Sequence, residues 1–434
     1  MSNSSKQNEM PPITFVAAGE TEVERQATME DILPSPGFPA VAQLIADAIQ
    51  KRSDVTVLDF TPQQVNIRFQ IDNVWHSMPT MERETADYLL ATLKRMAGTD
   101  FRNRRAHQEG SFRAEYMRVK HACKIVSQGV RTGERIALYI EIPKPKTETL
   151  TEMGMPNSLL EKLTATLAEN DGIIMCCGVP NEGYTSVWRG MLTACDRFMR
   201  DYYVIEERSR VEPEVINVGS ITYDEKAGET AFSPIPQLLL KEPNVIAFPE
   251  TDKGHIVDQM VELSQDSIFV PIRGHGKHAA DGVARLIACK PNTKELAKQL
   301  RAVLCMRTIR KLCTECRQPF APHPTFLTKL GLPAGSVRTM YKAFEFEPGM
   351  VDENDKEIEP CTNCHGIGYH GLTGIFEVLN VGDRFRQAIA ETPHVDQLLA
   401  AARADRHISV RETGVIAVAQ GITSLEELQR VLRR

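Results

Sequence analysis

The 434-residue sequence has no long apolar run, no large excess of one charge and only 6% aromatic residues. No stretch approaches the ~18 consecutive apolar residues that a membrane-spanning helix needs. The N-terminus, MSNSSKQNEMPP, contains no apolar signal core, and a net charge of −6 provides no bulk attraction to nucleic acid. These absences predict a cytoplasmic chain that neither spans a membrane nor binds nucleic acid. Its length predicts two or three domains.

A lysine is missing from the stretch with the strongest functional signal, residues 172–186, which has the sequence GIIMCCGVPNEGYTS. An apolar strand leads into a loop bounded by Gly178 and Gly183, and a helical segment follows. This order and glycine spacing are typical of a P-loop, whose lysine binds the β- and γ-phosphates of a nucleotide. Tyr184 occupies the lysine position, while Thr185 retains the hydroxyl that would hold magnesium. The stretch therefore predicts the frame of an ATP/Mg site without its central charge.

Ten cysteines are present, and four of them form two C-x-x-C pairs, Cys313 with Cys316 and Cys361 with Cys364. Two thiolates on one tight turn can both bind a metal at ~2.3 Å, and two such turns complete a tetrahedron. The pattern predicts a structural zinc site, because four cysteines leave no open coordination position. The alternative is four unrelated thiols, which the paired spacing disfavours.

Composition, hydrophobic periodicity and the cysteine pairs together divide the chain into six segments. Residues 65–71 alternate like a strand and begin a hairpin, which indicates an α+β domain in the first third of the chain. Later, apolar strands alternate with helices, which predicts a parallel sheet with functional residues at the carboxyl ends of its strands. The predicted segments are a flexible arm (1–36), an α+β domain (37–145), a linker (146–158), an α/β core (159–312), a metal module (313–375) and a C-terminal helical segment (376–434).

The cysteine pairs lie in segments that resemble a known family. RKLCTECRQPF and PCTNCHGIGYHGLTGIFEVL, with SDVTVLDF and IRFQIDNVWH upstream, are similar to motifs of the type II secretion and type IV pilus assembly ATPases, the traffic ATPases. The resemblance extends from about residue 37 to the end of the chain. It implies an α/β fold in which an N-terminal α+β domain precedes a RecA-like P-loop NTPase domain, with a four-cysteine zinc module and a C-terminal helical segment.

The same resemblance implies how such a chain works. Members of the family form hexameric cytoplasmic rings that bind ATP and magnesium between their two domains. The rings drive pilin or pseudopilin assembly beneath an inner-membrane platform protein. By this resemblance Glu250 and His275 are candidate catalytic residues. The corresponding positions of a degenerate nucleotide site are Gly178, Gly183, Tyr184, Thr185, Ser186, Glu207, Arg68 and Arg135.

Several positive charges of the family's site are absent from this sequence. The P-loop lysine is one of them. The family also has arginines in the helix that precedes the strand ending near Glu250. This sequence has SPIPQLLLK there, which offers only Lys241. Glu182 adds a negative charge inside the loop. One lost charge-assisted contact weakens binding by ~1.5–3 kcal/mol, and one lost arginine-type group can slow phosphoryl transfer ~10³-fold. We therefore expect ATP hydrolysis to be very poor or absent.

Three hypotheses are compatible with a nucleotide-site frame that lacks several of its positive charges. In the first, the chain is a non-hydrolysing pseudo-ATPase with a structural or regulatory role in a homo- or hetero-oligomeric ring, or beside an active paralogue. In the second, it is an active motor in which Lys241 or Lys277 replaces the missing lysine. In the third, it is a zinc-stabilised protein-interaction module that binds no nucleotide. The missing charges favour the first hypothesis.

Overall fold

The computed structural model describes residues 10–143, 149–249, 254–344, 346–352, 354–391 and 394–433. The contacts within the chain define two compact units, Met1–Pro145 and Lys146–Arg434. The candidate catalytic residue Glu250 lies outside the described residues, as do residues 146–148 of the predicted linker. Among the described helices, none combines the length and the apolar character that crossing a bilayer requires.

The first unit is an antiparallel sheet that packs against helices. Its strands are β1 (Ile13–Val16), β2 (Ser53–Phe60), β3 (Gln64–Ile71), β4 (Val74–Ser77), β5 (Met81–Glu82), β6 (Gln108–Tyr116), β7 (Val119–Val130) and β8 (Gly133–Ile140). Its helices are α1 (Glu22–Ile32), α2 (Phe38–Gln50) and α3 (Arg83–Met96). The strand order is β1-β6-β7-β8-β2-β3-β4, with β5 beside β3. Burial alternates along β3 and β8, as expected for a sheet with one covered face.

Residues 13–32 are part of this unit, although the sequence predicts a flexible arm over residues 1–36. Strand β1 pairs antiparallel with β6 and so extends the sheet. The buried ring of Phe15 contacts those of Phe38 and Phe112, at centroid distances of 5.8 and 6.2 Å. The short apolar alternation of β1 is enough to form an edge strand because a partner strand and an aromatic pocket are available.

The second unit contains a mostly parallel sheet. The strands of the unit are β9 (Ile173–Gly178), β10 (Tyr202–Glu207), β11 (Val218–Tyr223), β12 (Val245–Ala247), β13 (Val270–His275), β14 (Leu300–Leu312), β15 (Gln318–Phe320), β16 (Met340–Lys342) and β17 (Tyr369–Asn380). Strands β15 and β16 pair with each other as a separate antiparallel ribbon. Strands β11, β10 and β12 are parallel, as are β13, β9 and β14. Parallel bridges from Val245 to Phe269 and from Phe248 to Ile272 join the two groups.

Helices cover both faces of this sheet. The helices of the unit are α4 (Asn157–Glu169), α5 (Tyr184–Ala194), α6 (Ile235–Leu239), α7 (Gly254–Gln265), α8 (Ala279–Ala288), α9 (Thr293–Gln299), α10 (Pro324–Lys329), α11 (Asp383–Ala390), α12 (Val395–Ala404), α13 (Val410–Ala419) and α14 (Leu425–Arg433), of which α10 lies in the insertion between β14 and β17. Along β9, Ile173 and Met175 join the core cluster that contains residues of α7 and α8. Ile174 and Cys176 join the cluster that contains residues of α4 and α5. Burial on both faces explains why β9 is a continuous apolar run.

The predicted boundary at residue 375 falls inside β17. This strand pairs antiparallel with β14 over most of its length, from Ala302 opposite Asn380 to Leu312 opposite Tyr369. The cysteine-containing segment is therefore an insertion between two adjacent strands of one sheet. Its first pair of cysteines follows β14 directly, and its second pair precedes β17.

Buried charges attach the last helix to β14. Glu427 of α14 is only 1% exposed, and it accepts hydrogen bonds from Arg310 at 2.7 Å and from Arg430 at 2.6 Å. The Arg310 guanidinium also lies 3.9 Å from the centroid of the Tyr369 ring. Burial alone raises the pKa of the Glu427 carboxyl, but hydrogen bonds and charge from Arg430 and Arg310 outweigh it and lower that pKa below its ordinary value.

This network predicts an acid-sensitive attachment of α14. A carboxyl whose folded-state pKa is lowered stabilises the fold above its unfolded pKa, and this stabilisation is lost as the pH falls through the folded pKa. We expect Glu427→Gln to lower the midpoint of thermal unfolding at pH 7, with a difference from the wild type that shrinks once the pH is below the ordinary value of 4.5. Thermal unfolding of the wild type and of Glu427→Gln, from pH 7 to below pH 4.5, measures this difference in midpoint.

The exposed neighbour Glu426 provides a matched control on the same helix. Glu426→Gln should shift the midpoint little at any pH, because substitutions at exposed positions usually change stability by no more than ~0.5 kcal/mol. A Glu427→Gln difference that stays constant from pH 7 to pH 3 would contradict the assigned role of this carboxylate.

Candidate nucleotide site and metal cluster

The glycine loop predicted from the sequence connects β9 to α5 at the carboxyl end of an inner strand. Gly183 precedes α5 with a φ angle of +77°. This backbone conformation favours glycine, and a β-carbon there would also lie 2.5 Å from the flexible end of the Met306 side chain, which would have to shift. Tyr184 is the first residue of the helix, and the half-buried Thr185 and Ser186 follow it. The strand–loop–helix order of a P-loop is therefore present.

Two side chains from the neighbouring strand region contact the Tyr184 ring. The His275 ring is stacked on it, with centroids 5.0 Å apart and planes inclined by 21°. The Arg273 guanidinium lies 4.5 Å from the Tyr184 centroid and 5.8 Å from that of Trp188, which is one turn further along α5. A cation within ~6 Å of an aromatic face is attracted by the ring quadrupole. Tyr184 is therefore held by aromatic and cation–π contacts at the first turn of α5.

Glu182 of the loop forms a buried ion pair with Arg307 of β14. The Arg307 Nε donates to Glu182 Oε2 at 2.6 Å, and its Nη2 donates to the carbonyl of Val431 in α14 at 2.9 Å. The side chains of Arg307 and Glu182 are 2% and 10% exposed. The expectation that Glu182 directs an uncompensated negative charge at the phosphate position is therefore wrong, because the guanidinium neutralises it.

The two acids at the end of β10 hold the loop that follows them. Glu207 accepts a hydrogen bond from the backbone N–H of Ser209 at 2.8 Å and another from the Ser209 hydroxyl. Glu206 accepts from the Ser220 hydroxyl at 2.6 Å and from the backbone N–H of Glu212 at 3.0 Å. Both carboxylates are buried. In this state of the protein, Glu207 therefore bonds to its own loop.

Other cations predicted for the site have local partners. In the first unit, Arg68 contacts the Asp59 carboxylate at 2.7 Å, and Arg135 contacts the same carboxylate. In the second unit, the Lys241 ammonium lies 5.4 Å from the centroid of the Tyr203 ring, near the amino end of β10. The glycine loop follows the carboxyl end of a parallel strand, so Lys241 lies towards the opposite edge of the sheet. This position does not favour Lys241 as a replacement for the missing lysine.

The four cysteines of the two pairs converge on one point. Their sulfur atoms all lie within 4.8 Å of one another. The Cys313 and Cys361 sulfurs are 3.9 Å apart, and those of Cys316 and Cys364 are 3.6 Å apart. Tetrahedral bonds of ~2.3 Å to a central metal would separate the sulfurs by about 3.8 Å. The cluster is therefore compatible with a single tetrahedral metal ion.

Polar hydrogens around the cluster suit thiolate sulfurs. The Asn363 side-chain amide donates to the Cys313 sulfur at 3.3 Å, and the backbone N–H of Gly368 donates to the Cys364 sulfur at the same distance. Gly366 and Gly368 have φ angles of +83° and +78°, which allow the tight backbone around the second pair. Such outer hydrogen bonds orient metal ligands and stabilise their charge.

Two residues that the sequence analysis did not single out are central to the site. Arg273 and Arg307 are both buried, and each follows an apolar run of its strand. A charge inside an apolar strand is a signal in itself, because a buried guanidinium needs a partner. The sequence cannot identify those partners, which are Glu212 for Arg273 and Glu182 for Arg307.

The fold and the glycine loop together define an α/β protein with the strand–loop–helix of a P-loop and a metal-compatible cysteine cluster. A family model described as "Type II/IV secretion system protein" matches residues 35–430. The chain belongs to this family.

Individual relatives agree with this assignment. The chain is 26% identical over 407 residues to the type II secretion system protein E of Dickeya dadantii, covering 92% of this chain and 76% of the relative. It is 24% identical over 420 residues to the type IV pilus assembly ATPase PilB of Pseudomonas aeruginosa, covering 95% of this chain and 70% of the relative. The solved structure of the Legionella pneumophila ATPase DotB has a similar fold, with a TM-score of 0.53, 12% identity and coverage of 92% and 96%.

The buried ion pair of the loop yields a stability prediction. Removing one partner of a buried pair leaves an uncompensated charge, which typically costs ~3–5 kcal/mol. We expect Arg307→Met to lower the free energy of unfolding by about this amount, and Glu182→Gln to recover part of the loss in the double variant. Urea unfolding of the wild type, both single variants and the double variant measures the coupling.

Arg301 offers a control on the same strand. It is partly exposed and pairs with Asp171 at 2.5 Å, so Arg301→Met should cost about 1 kcal/mol or less. Equal losses for the two arginine variants, with no coupling between positions 182 and 307, would show that the pair does not hold the loop.

Proposed function

We propose that this chain is a traffic ATPase subunit that does not hydrolyse ATP and that has a structural or regulatory role in a type II secretion or type IV pilus machine. Membership of the type II/IV secretion system family supports the proposal that the chain works in such a machine. The proposed loss of hydrolysis is supported mainly by the residue at the lysine position of the glycine loop. This residue is Tyr184, and it packs against Arg273 and His275. In this proposal Thr185 and Ser186 belong to a degenerate nucleotide site that binds ATP and magnesium weakly or not at all.

The state of the loop supports the same conclusion. A P-loop binds phosphate with its backbone N–H groups and its lysine. Here the loop is fixed through Glu182 to a guanidinium that also contacts α14. The Arg307 guanidinium is thus bonded to Glu182 and Val431, and a hydrolysing site would need positive charge at the transferred phosphoryl group. In the proposed function the loop has a structural role, and His275 packs against the Tyr184 ring instead of assisting catalysis.

The second unit supplies the proposed ring-forming part, with a RecA-like core and a zinc module. Zinc held by Cys313, Cys316, Cys361 and Cys364 would fix the ends of the insertion and supply no catalysis, since four thiolates fill its coordination shell. We propose that the subunit forms a homo- or hetero-oligomeric ring, a hexamer by analogy with the family. It would work at the cytoplasmic side of an inner-membrane platform protein, and an active paralogue would supply ATP hydrolysis.

The proposed loss of hydrolysis is tested with the purified full chain and Mg-ATP. We expect phosphate release no faster than in a protein-free blank, because both the lysine and the upstream arginines are missing. A type II secretion system protein E serves as the positive control in the same assay. Micromolar affinity for ATP together with steady turnover would sink the proposal.

A single substitution separates the effect of the Tyr184 side chain from that of the other missing cations. Tyr184→Lys restores the ammonium, but the Glu182–Arg307 pair still holds the loop, so we expect turnover to stay below a hundredth of the positive control's rate. If this variant alone reaches the rate of the control, the loop and the remaining cations are adequate and only Tyr184 blocks hydrolysis.

The metal proposal predicts one zinc ion per chain. Metal analysis of the native protein should give this ratio, and chelation should make four further thiols reactive towards an alkylating reagent at pH 8. Burial raises the pKa of the Cys123 thiol to about 12. Burial likewise raises the pKa of Cys195 to about 12. These two thiols should therefore stay unreacted in the folded protein and serve as internal controls.

Mass mapping of the alkylated cysteines identifies which thiols react. Native protein that contains no zinc, and in which Cys313 and Cys361 react without any chelator, would refute the metal site.

A further inference from the structure

The second unit exposes a group of large apolar side chains. Among its described residues, the four such side chains with the greatest exposure are Leu240, Met199, Ile216 and Phe198, at 84%, 82%, 70% and 68%. Single exposed apolar residues are common on protein surfaces, whereas a contiguous group of them marks an interaction site. We call these four residues the apolar patch.

The apolar patch lies on three neighbouring loops at one edge of the parallel sheet. The loops precede β10, β11 and β12, which are parallel and adjacent in the order β11-β10-β12. Through β13 these strands are also parallel to β9, whose carboxyl end leads into the glycine loop. The patch is therefore at the amino edge of the sheet, and the nucleotide-site frame is at the carboxyl edge.

Hydrogen bonds join the three loops, so the patch is one surface. The Arg197 Nε donates to the carbonyl of Ile216 at 2.9 Å, and its guanidinium lies 4.8 Å from the centroid of the Phe198 ring. The backbone N–H of Asp201 donates to the side-chain oxygen of Asn244 at 3.0 Å. The first contact connects the loops before β10 and β11, and the second connects those before β10 and β12.

A groove of about 390 Å³ on the same unit has a complementary shape and character. Its apolar wall residues come from the insertion, α13 and α14, and they are Phe320, Phe326, Met340, Tyr341, Val418 and Leu425. The backbone N–H of Leu312, the last residue of β14, donates to the carbonyl of Ile422 at 2.9 Å, just before α14. Because β14 is parallel to β9, the groove lies beyond the carboxyl ends of the strands, opposite the patch.

Charges of both signs border each surface. Arg200 and Asp201 are exposed and follow Met199 directly. Lys342 and Glu426 are exposed and line the groove. Docking the patch in the groove can therefore bring Arg200 towards Glu426 and Asp201 towards Lys342. Contacts of this kind fix the register of an interface, whereas burial of the apolar side chains supplies most of its affinity.

We propose that the apolar patch of one chain docks into the groove of a second copy of this chain. A contact between two different surfaces is heterologous, and its repetition closes into a ring when the rotation between neighbours allows it. A patch that paired with itself would produce only a two-fold dimer. The inference rests on the proposed function, because it names the two surfaces through which the proposed ring subunits would meet.

Sedimentation velocity of the full chain and of patch variants tests the contact. Met199→Glu and Leu240→Glu should each weaken self-association about thirtyfold or more, as expected for a charge placed at the centre of an apolar interface. Met117→Glu is the matched control, since Met117 is 69% exposed and lies between β6 and β7 of the first unit. Association that neither patch variant weakens would overturn the proposal.

Mixing two variants distinguishes the groove from other partners of the patch. Leu425→Glu places a charge in the groove and should also yield monomers, with its fold checked by thermal unfolding. An equimolar mixture of Met199→Glu and Leu425→Glu retains one intact patch and one intact groove, so it should form a heterodimer and nothing larger. If Leu425→Glu folds and assembles like the wild type, the groove is not the partner.

Photo-crosslinking provides a measurement that does not depend on a groove variant. With p-benzoylphenylalanine in place of Met199, irradiation should yield covalent dimers whose crosslinks map to β15, β16 or the start of α14. The same group in place of Met117 should yield no crosslink to these elements. Crosslinks from position 199 to the first unit, or to position 199 of another chain, would contradict the proposed contact.

The outcomes separate this inference from the proposed function. Wild-type chain that sediments as a monomer at every concentration would overturn the self-contact and leave a non-hydrolysing subunit in a ring of different chains. Assembly that depends on Met199 and Leu425, together with ATP turnover, would retain the contact and reject the non-hydrolysing subunit.

Discussion

The buried ion pair between Glu182 and Arg307 determines the state of the glycine loop. Removing two charges from water costs several kcal/mol per ion, and the cost is offset only when both partners are present and hydrogen bonded. Arg307 meets this condition with the Glu182 carboxylate on one side and the Val431 carbonyl on the other. The loop, β14 and α14 are therefore one electrostatic unit. None of the three can move away without leaving a charge or a carbonyl without its partner.

Strand β14 carries further contacts on either side of Arg307. Near its middle it pairs with β9, whose end leads into the glycine loop. Further along, Arg310 attaches α14 through Glu427, and Cys313 follows immediately after the strand as a member of the metal cluster. The antiparallel partner β17 returns from the second cysteine pair into the same sheet. One long strand thus lies beside the glycine loop, the last helix and the cysteine cluster.

Local patterns predicted the parts of the fold that local sequence controls. The apolar run and glycine spacing around residues 172–186 indicated strand, loop and helix, and the structure has β9, the loop and α5 there. The C-x-x-C spacing indicated a four-cysteine cluster, and the four sulfurs do converge. In each case the responsible residues lie close together in the sequence or follow a fixed spacing. Membership of the family was evident from the same segments, and the match over residues 35–430 confirms it.

The missed features depend on pairs of residues that are distant in the sequence. Glu182 and Arg307 are 125 positions apart, and no local pattern connects them. The negative charge of Glu182 was therefore interpreted as facing a phosphate, although its partner neutralises it. The strand at residues 13–16 was missed for a similar reason, since it pairs with β6, whereas α1 begins with a local capping box of Thr21 and Glu24 that the sequence does contain. A four-residue strand has too little apolar surface to be distinguished from a mobile terminus by composition alone.

The loss of one lysine need not weaken the architecture around it, and the contacts of Tyr184 explain why. A phosphate-binding lysine contributes to ligand binding and little to the core, whereas an aromatic ring at this position can stack on His275 and accept a cation–π contact from Arg273. The substitution therefore replaces a contact to a ligand by contacts within the protein. These contacts hold the Tyr184 ring without any bound ligand, as the proposed structural role would require.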